Sequence, residues 1–444
     1  MRMRSRKAAI VVAALGLAVA GTGLAGTGLA APGAGATSVS AAPTGTCGAE
    51  QWVASWAASP TDASSFVDPS LGIIPERLTR QTLRTVITPH LSGSSARIHL
   101  SNRFGTSPLT FAHVTAARQR SGAAIGTPVE VTFGGSASVT VPAGQEIVSD
   151  PVALAVETFA PLTISMYLPA TTSPPNRHWN ANATSYYTRA GVGDLTTQTS
   201  DSRFTEKTLS WFYVSGLDVQ ASARSVVAFG DSITDGFVGG SPVSIPADKS
   251  VADKNGRYPD YLQRRVNAAG LAVSVVNAGI GSNQLLGTLI SFAGPSGLSR
   301  FQADALDIPG VAGVLVLEGI NDLGLGNGVT PQQITDAYTE LITKAHAAGL
   351  KIWLGTITPA ANAIVDGTFL APNSENYRQQ INTWVRTQTL ADGVVDFDAA
   401  VRDPAKPSQL LPAYASPDNL HPSLAGYQKM AEAVSLDLLA TTTC

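Results

Sequence analysis

"VVAFGDSITDG", residues 226–236, decides how the second half of this chain is read. Val226 to Phe229 form a short apolar run of the kind found in strands buried on both faces. The run stops on Gly230-Asp231-Ser232, three residue types that each favour turns for their own local reasons. A plain turn is one account. The other is a nucleophile held at the tip of a strand, and the rest of the chain has to choose between them.

Downstream the same texture recurs. "AVSVVNAG", "VAGVLVLEG", "KIWLGTIT" and "GVVDFD" are further short apolar runs, with helical segments between them. "TPQQITDAYTELITKAHAAG" offers Thr330 as N-cap, Pro331 at the first helical position and Gly349 as the stop. Its Ile334, Tyr338, Leu341 and Ala345 fall on one stripe. "ENYRQQINTWV" repeats the pattern with Tyr377, Ile381, Trp384 and Val385. Strands alternating with helices predict a parallel sheet covered on both faces over residues 223–444. In such sheets reactive groups gather at the carboxyl ends of the strands, where Ser232 falls.

Upstream the pattern is different. "ARIHL", "PVEVTF", "SASVTV" and "LTISMYL" alternate apolar and polar residues between Gly, Pro, Ser and Asn, and no helical pattern interrupts them. Residues 48–222 therefore read as an all-β sandwich, jelly-roll-like. At 444 residues two domains are the natural expectation.

Residues 1–42 read as a signal peptide and leader remnant. "MRMRSRK" supplies four positive charges, "AAIVVAALGLAVAG" an apolar core, and "GLAAPG" and "VSAAPT" cleavage candidates. The apolar stretch is short for a membrane anchor, so a secreted, extracellular protein without a stable membrane anchor is expected. Removing Arg2, Arg4, Arg6 and Lys7 takes the formal charge from −3 to −7, which argues against nucleic acid as a partner. Cys47 and Cys444 are the two cysteines, and in an exported chain they read as a disulfide. The chain-entropy model gives such a bridge roughly 6 kcal/mol as an upper figure. Two cysteines exclude a zinc–cysteine cluster, and no metal site is expected.

Four pieces line up at expected strand ends. Ser232 follows the first, "NAGIGSNQ" (Asn277 to Gln284) the second, and "EGIND", with Asn321, the third; "SPDNLHPSLAGY", with Asp418 and His421, precedes the last helix. An ester-hydrolysing serine needs a base, a group to orient that base, and donors for the developing oxyanion. His421 can be the base and Asp418 its partner in a short D-x-x-H loop. Asn321 can offer its amide, with backbone N–H groups at Ser232 and in the glycine turn after Asn277. His90, His99, His113, His178 and His346 have no such setting and read as strand or surface residues. The nucleophile elbow G-x-S-x-G, H-E-x-x-H and the P-loop are absent.

This combination resembles the SGNH hydrolases, the GDSL esterase/lipase family. The matching residues are G-D-S around Ser232, the glycine turn after Asn277, G-x-N-D as Gly319 to Asp322, and D-x-x-H-P as Asp418 to Pro422. The resemblance implies a three-layer α/β/α (flavodoxin-like) fold, a serine nucleophile supported by Asp418 and His421, no cofactor, and hydrolysis of carboxylic esters. One position departs. The family's second-block glycine falls at Ser282, with Gly281 before it, so either could give the second oxyanion donor beside Ser232 and Asn321. The substrate is expected to be a small-molecule, lipid or acetylated-sugar ester, acted on by a monomer. Trp52, Trp56, Trp179 and Trp211 are candidates for a sugar platform, with core packing as the other reading. "PAANAIVDGTFLAP", residues 359–372, is placed to shape the acyl pocket. A non-catalytic binding protein is the remaining alternative.

Overall fold

The computed structural model describes residues 49–62, 75–288, 291–324 and 328–442. The leader, Cys47 and Cys444 lie outside the described residues. All the described residues belong to one compact unit.

The α/β half is built on five parallel strands. They are β1 (Arg224–Gly230), β2 (Val273–Gly279), β3 (Val311–Leu317), β4 (Lys351–Gly355) and β5 (Gly393–Val395), in the spatial order β2-β1-β3-β4-β5. That is the flavodoxin-like order, which puts its switch point between β1 and β3. The apolar runs that mark these strands are buried along most of their length. Their helices are α1 (Ser232–Asp235), α2 (Tyr258–Ala268), α3 (Ile320–Leu323), α4 (Pro331–Ala347), α5 (Ser374–Thr387) and α6 (Leu424–Ala433). Helix α2 packs with α6 and against β2, while α4 packs with α5 and against β4.

Helix α4 begins and ends at the residues that sequence reading marks. Thr330 and Gln333 form a reciprocal capping box, Pro331 opens the helix, and Gly349 takes φ +73° just past its end. The stripe Ile334, Tyr338, Leu341 and Ala345 is buried. Helix α5 differs from expectation on its inner face. Tyr377 and Trp384 are only half-buried, whereas Arg378 and Asn382 are fully buried. Polar partners explain this: Arg378 pairs with Asp398 at 2.7 Å, and Asn382 both donates to Ile357 O and accepts from Ile357 N.

The other half carries strands and, among the described residues, no helix. Four antiparallel strands run in the order Gln51–Ala57, Val214–Ala221, Ala96–Ser101, Glu146–Val148. A second antiparallel sheet centres on Thr79–Ile87, Leu162–Thr171 and His113–Ser121. Residues from both sheets contribute to one apolar cluster, including Ile98, Leu100, Val114, Ile164 and Leu217. The first strand also touches the α/β half: Ala54 N donates to Pro309 O at 2.9 Å, and Ala54 and Ala57 join the α/β core. At this junction lies a cavity of about 20 Å³ lined by Trp56, His90, His178, Asp235, Arg257 and Asp260, room for about one water.

Candidate active site

Ser232 is the first residue of α1, immediately after β1. The turn between them is tight. A Cβ on Gly230 would lie 2.0 Å from Leu317 O, so only glycine lets β1 run this close to the end of β3. Asp231 caps the helix, its Oδ1 accepting from Ile233 N at 2.8 Å. The first N–H groups of a helix have no intrahelical partner, so Ser232 N–H is available beside its own hydroxyl.

His421 stands over that hydroxyl. Ser232 Oγ and His421 Nε2 are 2.8 Å apart, and His421 Nδ1 lies 2.7 Å from Asp418 Oδ2. Asp418 is buried, and its second oxygen accepts from Ser416 Oγ, Leu420 N and His421 N at 2.6, 3.0 and 3.0 Å. Burial opposes the charge. The neighbouring His421, with these hydrogen bonds, overrides it and holds the carboxyl well below the usual carboxylate range. An ionised Asp418 fixes the imidazole with Nδ1 as donor, which leaves Nε2 to accept from the serine.

The glycine turn closes the other side. Asn283 N donates to Ile280 O at 3.1 Å, and Ser282, the third residue of the turn, has φ +62°. This is the pattern of a type II turn, whose third position favours glycine. Ser282 holds that left-handed conformation without it, at a cost of about 1–2 kcal/mol. Among the described residues the N–H groups of Gly281 and Ser282 have no hydrogen-bond acceptor. Asn321, at the start of α3, donates Nδ2 to Asn283 O at 2.7 Å, which leaves its second amide hydrogen free. Gln284 Nε2 donates to Asn321 O at 3.0 Å, and Asp322 accepts from Leu285 N and Leu286 N at 2.8 and 2.9 Å. The turn and α3 are thus strapped together.

Two further contributors have no signal in the sequence. Arg300, fully buried, donates to Gly230 O, Ala278 O and Asn283 Oδ1 at 2.8, 2.7 and 2.7 Å, joining the ends of β1 and β2 to the glycine turn. His178 is the second, and it lies in a two-residue strand, Arg177–His178, as the strand-or-surface reading allows. It is buried, with Nε2 2.9 Å from Asp235 Oδ1. His90 is buried as well, between Val275 O and Asp260. The tryptophans resolve toward packing. Trp56, Trp179 and Trp211 are buried, and the half-buried Trp52 ring is covered by the Arg97 guanidinium at 4.1 Å.

Residues 228–429 match the GDSL-like lipase/acylhydrolase family. This half of the chain is a GDSL-like lipase/acylhydrolase domain. It is a carboxylic ester hydrolase. The GDSL-like domain is also similar to solved structures. The inhibitor-bound aryl esterase of M. smegmatis shares 15% identity, covering 48% of this chain and 96% of its own, at a TM-score of 0.39. Est24, a carbohydrate acetylesterase from Sinorhizobium meliloti, shares 15% over 49% and 99%, at 0.37. A lipolytic protein of the G-D-S-L family from Desulfitobacterium hafniense shares 21% over 47% and 96%, at 0.33. No curated protein matches the chain.

Proposed function

We propose that the protein is a secreted serine esterase acting through an acyl-enzyme on Ser232. The observation that carries this reading is the continuous hydrogen-bonded line from Ser232 Oγ through His421 to Asp418. Ser232 attacks the ester carbonyl as His421 takes its proton, and Asp418 stabilises the imidazolium that forms. The oxyanion receives hydrogen bonds from the N–H groups of Ser232 and Ser282 or Gly281 and from the Asn321 amide. His421 then protonates the departing alcohol and activates water to release the acyl group. His421 serves as base in its neutral form, since an imidazolium has no lone pair to take the serine proton. The basic, apolar leader supports export, and the placement of Cys47 and Cys444 supports a disulfide between them. Two antiparallel sheets around one core support the jelly-roll-like sandwich reading of residues 48–222 as a domain of its own.

Two observations bear on the substrate. Ile364, Phe369 and Leu370 are exposed in the loop after β4, which suits a lipid or simple apolar ester. Trp179, Phe237 and Phe292 crowd together beside Gly281 and His421, which favours a second reading, a short-acyl carbohydrate O-acetylesterase. An acyl series of p-nitrophenyl esters from acetyl to palmitoyl separates them, with Ser232→Ala as control. A maximum at medium or long chains supports the first reading, and a steep fall after acetyl the second. Turnover by Ser232→Ala at the wild-type rate removes the serine mechanism.

A further inference from the structure

The helix that carries Ser232 is a single turn of four residues, too short to hold its place by its own backbone hydrogen bonds. Its start is fixed by the Asp231 cap. Its end is fixed from outside the α/β half, by residues 178–182. Asp235, the last residue of α1, is buried, and both of its carboxylate oxygens have partners there: His178 Nε2 at 2.9 Å from Oδ1, and Asn180 Nδ2, which donates to Oδ2 at 3.0 Å. Asn182 Nδ2 donates to Gly236 O at 2.6 Å, just past the helix. Arg257 completes the frame, donating to Asp235 O at 2.8 Å and to Asn180 O at 3.3 Å. His178 is in turn braced against Ser59 O at 3.0 Å by its other ring nitrogen.

Between these alternate residues, Trp179 goes to the oxyanion turn instead. A Cβ on Gly281 would lie 2.1 Å from Trp179 Cζ2, so the indole packs directly on the backbone there. Its ring centroid is 6.0 Å from that of Phe237, which itself lies 4.7 Å from the His421 ring. One short segment thus touches the nucleophile's helix with one set of side chains and the oxyanion turn with the residue between them.

We propose that residues 178–180 are part of the esterase machinery: His178 and Asn180 are positioning residues that set the place of Ser232 through Asp235, and Trp179 backs the oxyanion turn. This rests on the reading of Ser232 as nucleophile. A buried carboxylate needs paired, donating neighbours wherever it sits; here the pairing falls on the one-turn helix whose displacement would move the reacting oxygen. A misplacement of about 1 Å is enough to cost about 100-fold in rate.

The test uses the full chain with Asn180→Ala, His178→Gln and the milder Asn182→Ala, assayed on p-nitrophenyl acetate beside Ser232→Ala. Thermal melts establish which variants are folded at the assay temperature. The expected result is a fall in kcat of about 10-fold or more for Asn180→Ala and His178→Gln, less for Asn182→Ala, with KM within about twofold of wild type. Phosphonylation of Ser232 by a fluorophosphonate slows in parallel. The exchange Asn180→Asp with Asp235→Asn restores part of the rate by keeping one donor facing one carboxylate. Folded variants with wild-type kcat overturn the proposal, as does a rise in KM at unchanged kcat, which would make the segment a substrate-binding surface. Should Asn180→Ala and His178→Gln both unfold, a wild-type kcat in the Asn182→Ala protein overturns it. An active Ser232→Ala strikes the nucleophile reading instead, so the two failures are distinct.

Discussion

Two loops bring a buried aspartate within electrostatic reach of His421, and they treat it in opposite ways. In the loop before α6, Asp418 faces His421 and collects donors from Ser416, Leu420 and the His421 backbone, and its carboxyl is driven far below the ordinary range. In the loop after β4, Asp366 sits with φ +58° against Gly324, where a Cβ would meet its Oδ1 at 1.8 Å. That oxygen finds no donor among the described residues. Burial pushes the Asp366 carboxyl up to about 7, although the nearby His421 works against the shift. The residue type is the same and the depth similar. The close pairing with His421 and the directed N–H and O–H groups that Asp418 has, and Asp366 lacks at Oδ1, set the two shifts in opposite directions.

The comparison breaks most visibly at Asp418. Asp418→Asn leaves the shape of the loop but favours the wrong imidazole tautomer, and kcat should fall by about 10³–10⁴-fold. An Asp418→Asn protein within tenfold of wild type would mean that His421 is oriented by something else. The same carboxylate ties stability to pH. Its folded value is depressed, so its contribution is present above the ordinary unfolded value near 3.8 and is lost as pH falls through the folded value. Chemical melts of wild type and Asp418→Asn should therefore differ at pH 5–8 and converge in strong acid.

Asp366 should show the reverse sign. Its folded carboxyl keeps a proton that the unfolded chain releases from about pH 4 upward. Stability then declines with pH until the folded value, about 7, is passed. Asp366→Asn should remove up to about 4 kcal/mol of that decline, read from denaturant midpoints at pH 4 and pH 8. A wild-type curve that parallels the Asn variant would place Asp366 in water or beside a donor. The smallest effect concerns the strained turn. Ser282→Gly should stabilise the fold by about 0.5 kcal/mol, relief of the left-handed conformation being partly offset by a more flexible unfolded chain. Activity should be unchanged, since an oxyanion donor at this position belongs to the backbone; a loss of rate would assign a role to the Ser282 hydroxyl.

Much of the α/β half is legible in sequence, because strands buried on both faces leave continuous apolar runs and candidate site residues follow the first three of them directly. Ser232 and Asn321 stand out for that reason, and the Asp418–His421 loop by its D-x-x-H spacing before the last helix. The departure at Ser282 is legible too, but its left-handed backbone is not. The neighbours that position them are not legible. His178 ends a two-residue strand and Trp179 and Asn180 follow it in irregular backbone with no periodicity, more than 50 residues before the helix that His178 and Asn180 hold, and only the packing of the two halves brings them there. Arg300 looks like an ordinary helix-surface charge until the carbonyls of Gly230 and Ala278 turn toward it. Buried polar side chains break the apolar stripe by which a core is read, as Arg378 and Asn382 do on α5.

The central claim is that Ser232 is the nucleophile and that His421 makes it one. Peptide mapping by mass spectrometry after treatment with a fluorophosphonate tests it directly. The account predicts one phosphonyl group, on the peptide containing Ser232, with labelling strongly slowed in His421→Ala. A label on another residue, or full ester turnover in a protein whose Ser232 is quantitatively phosphonylated, would contradict it.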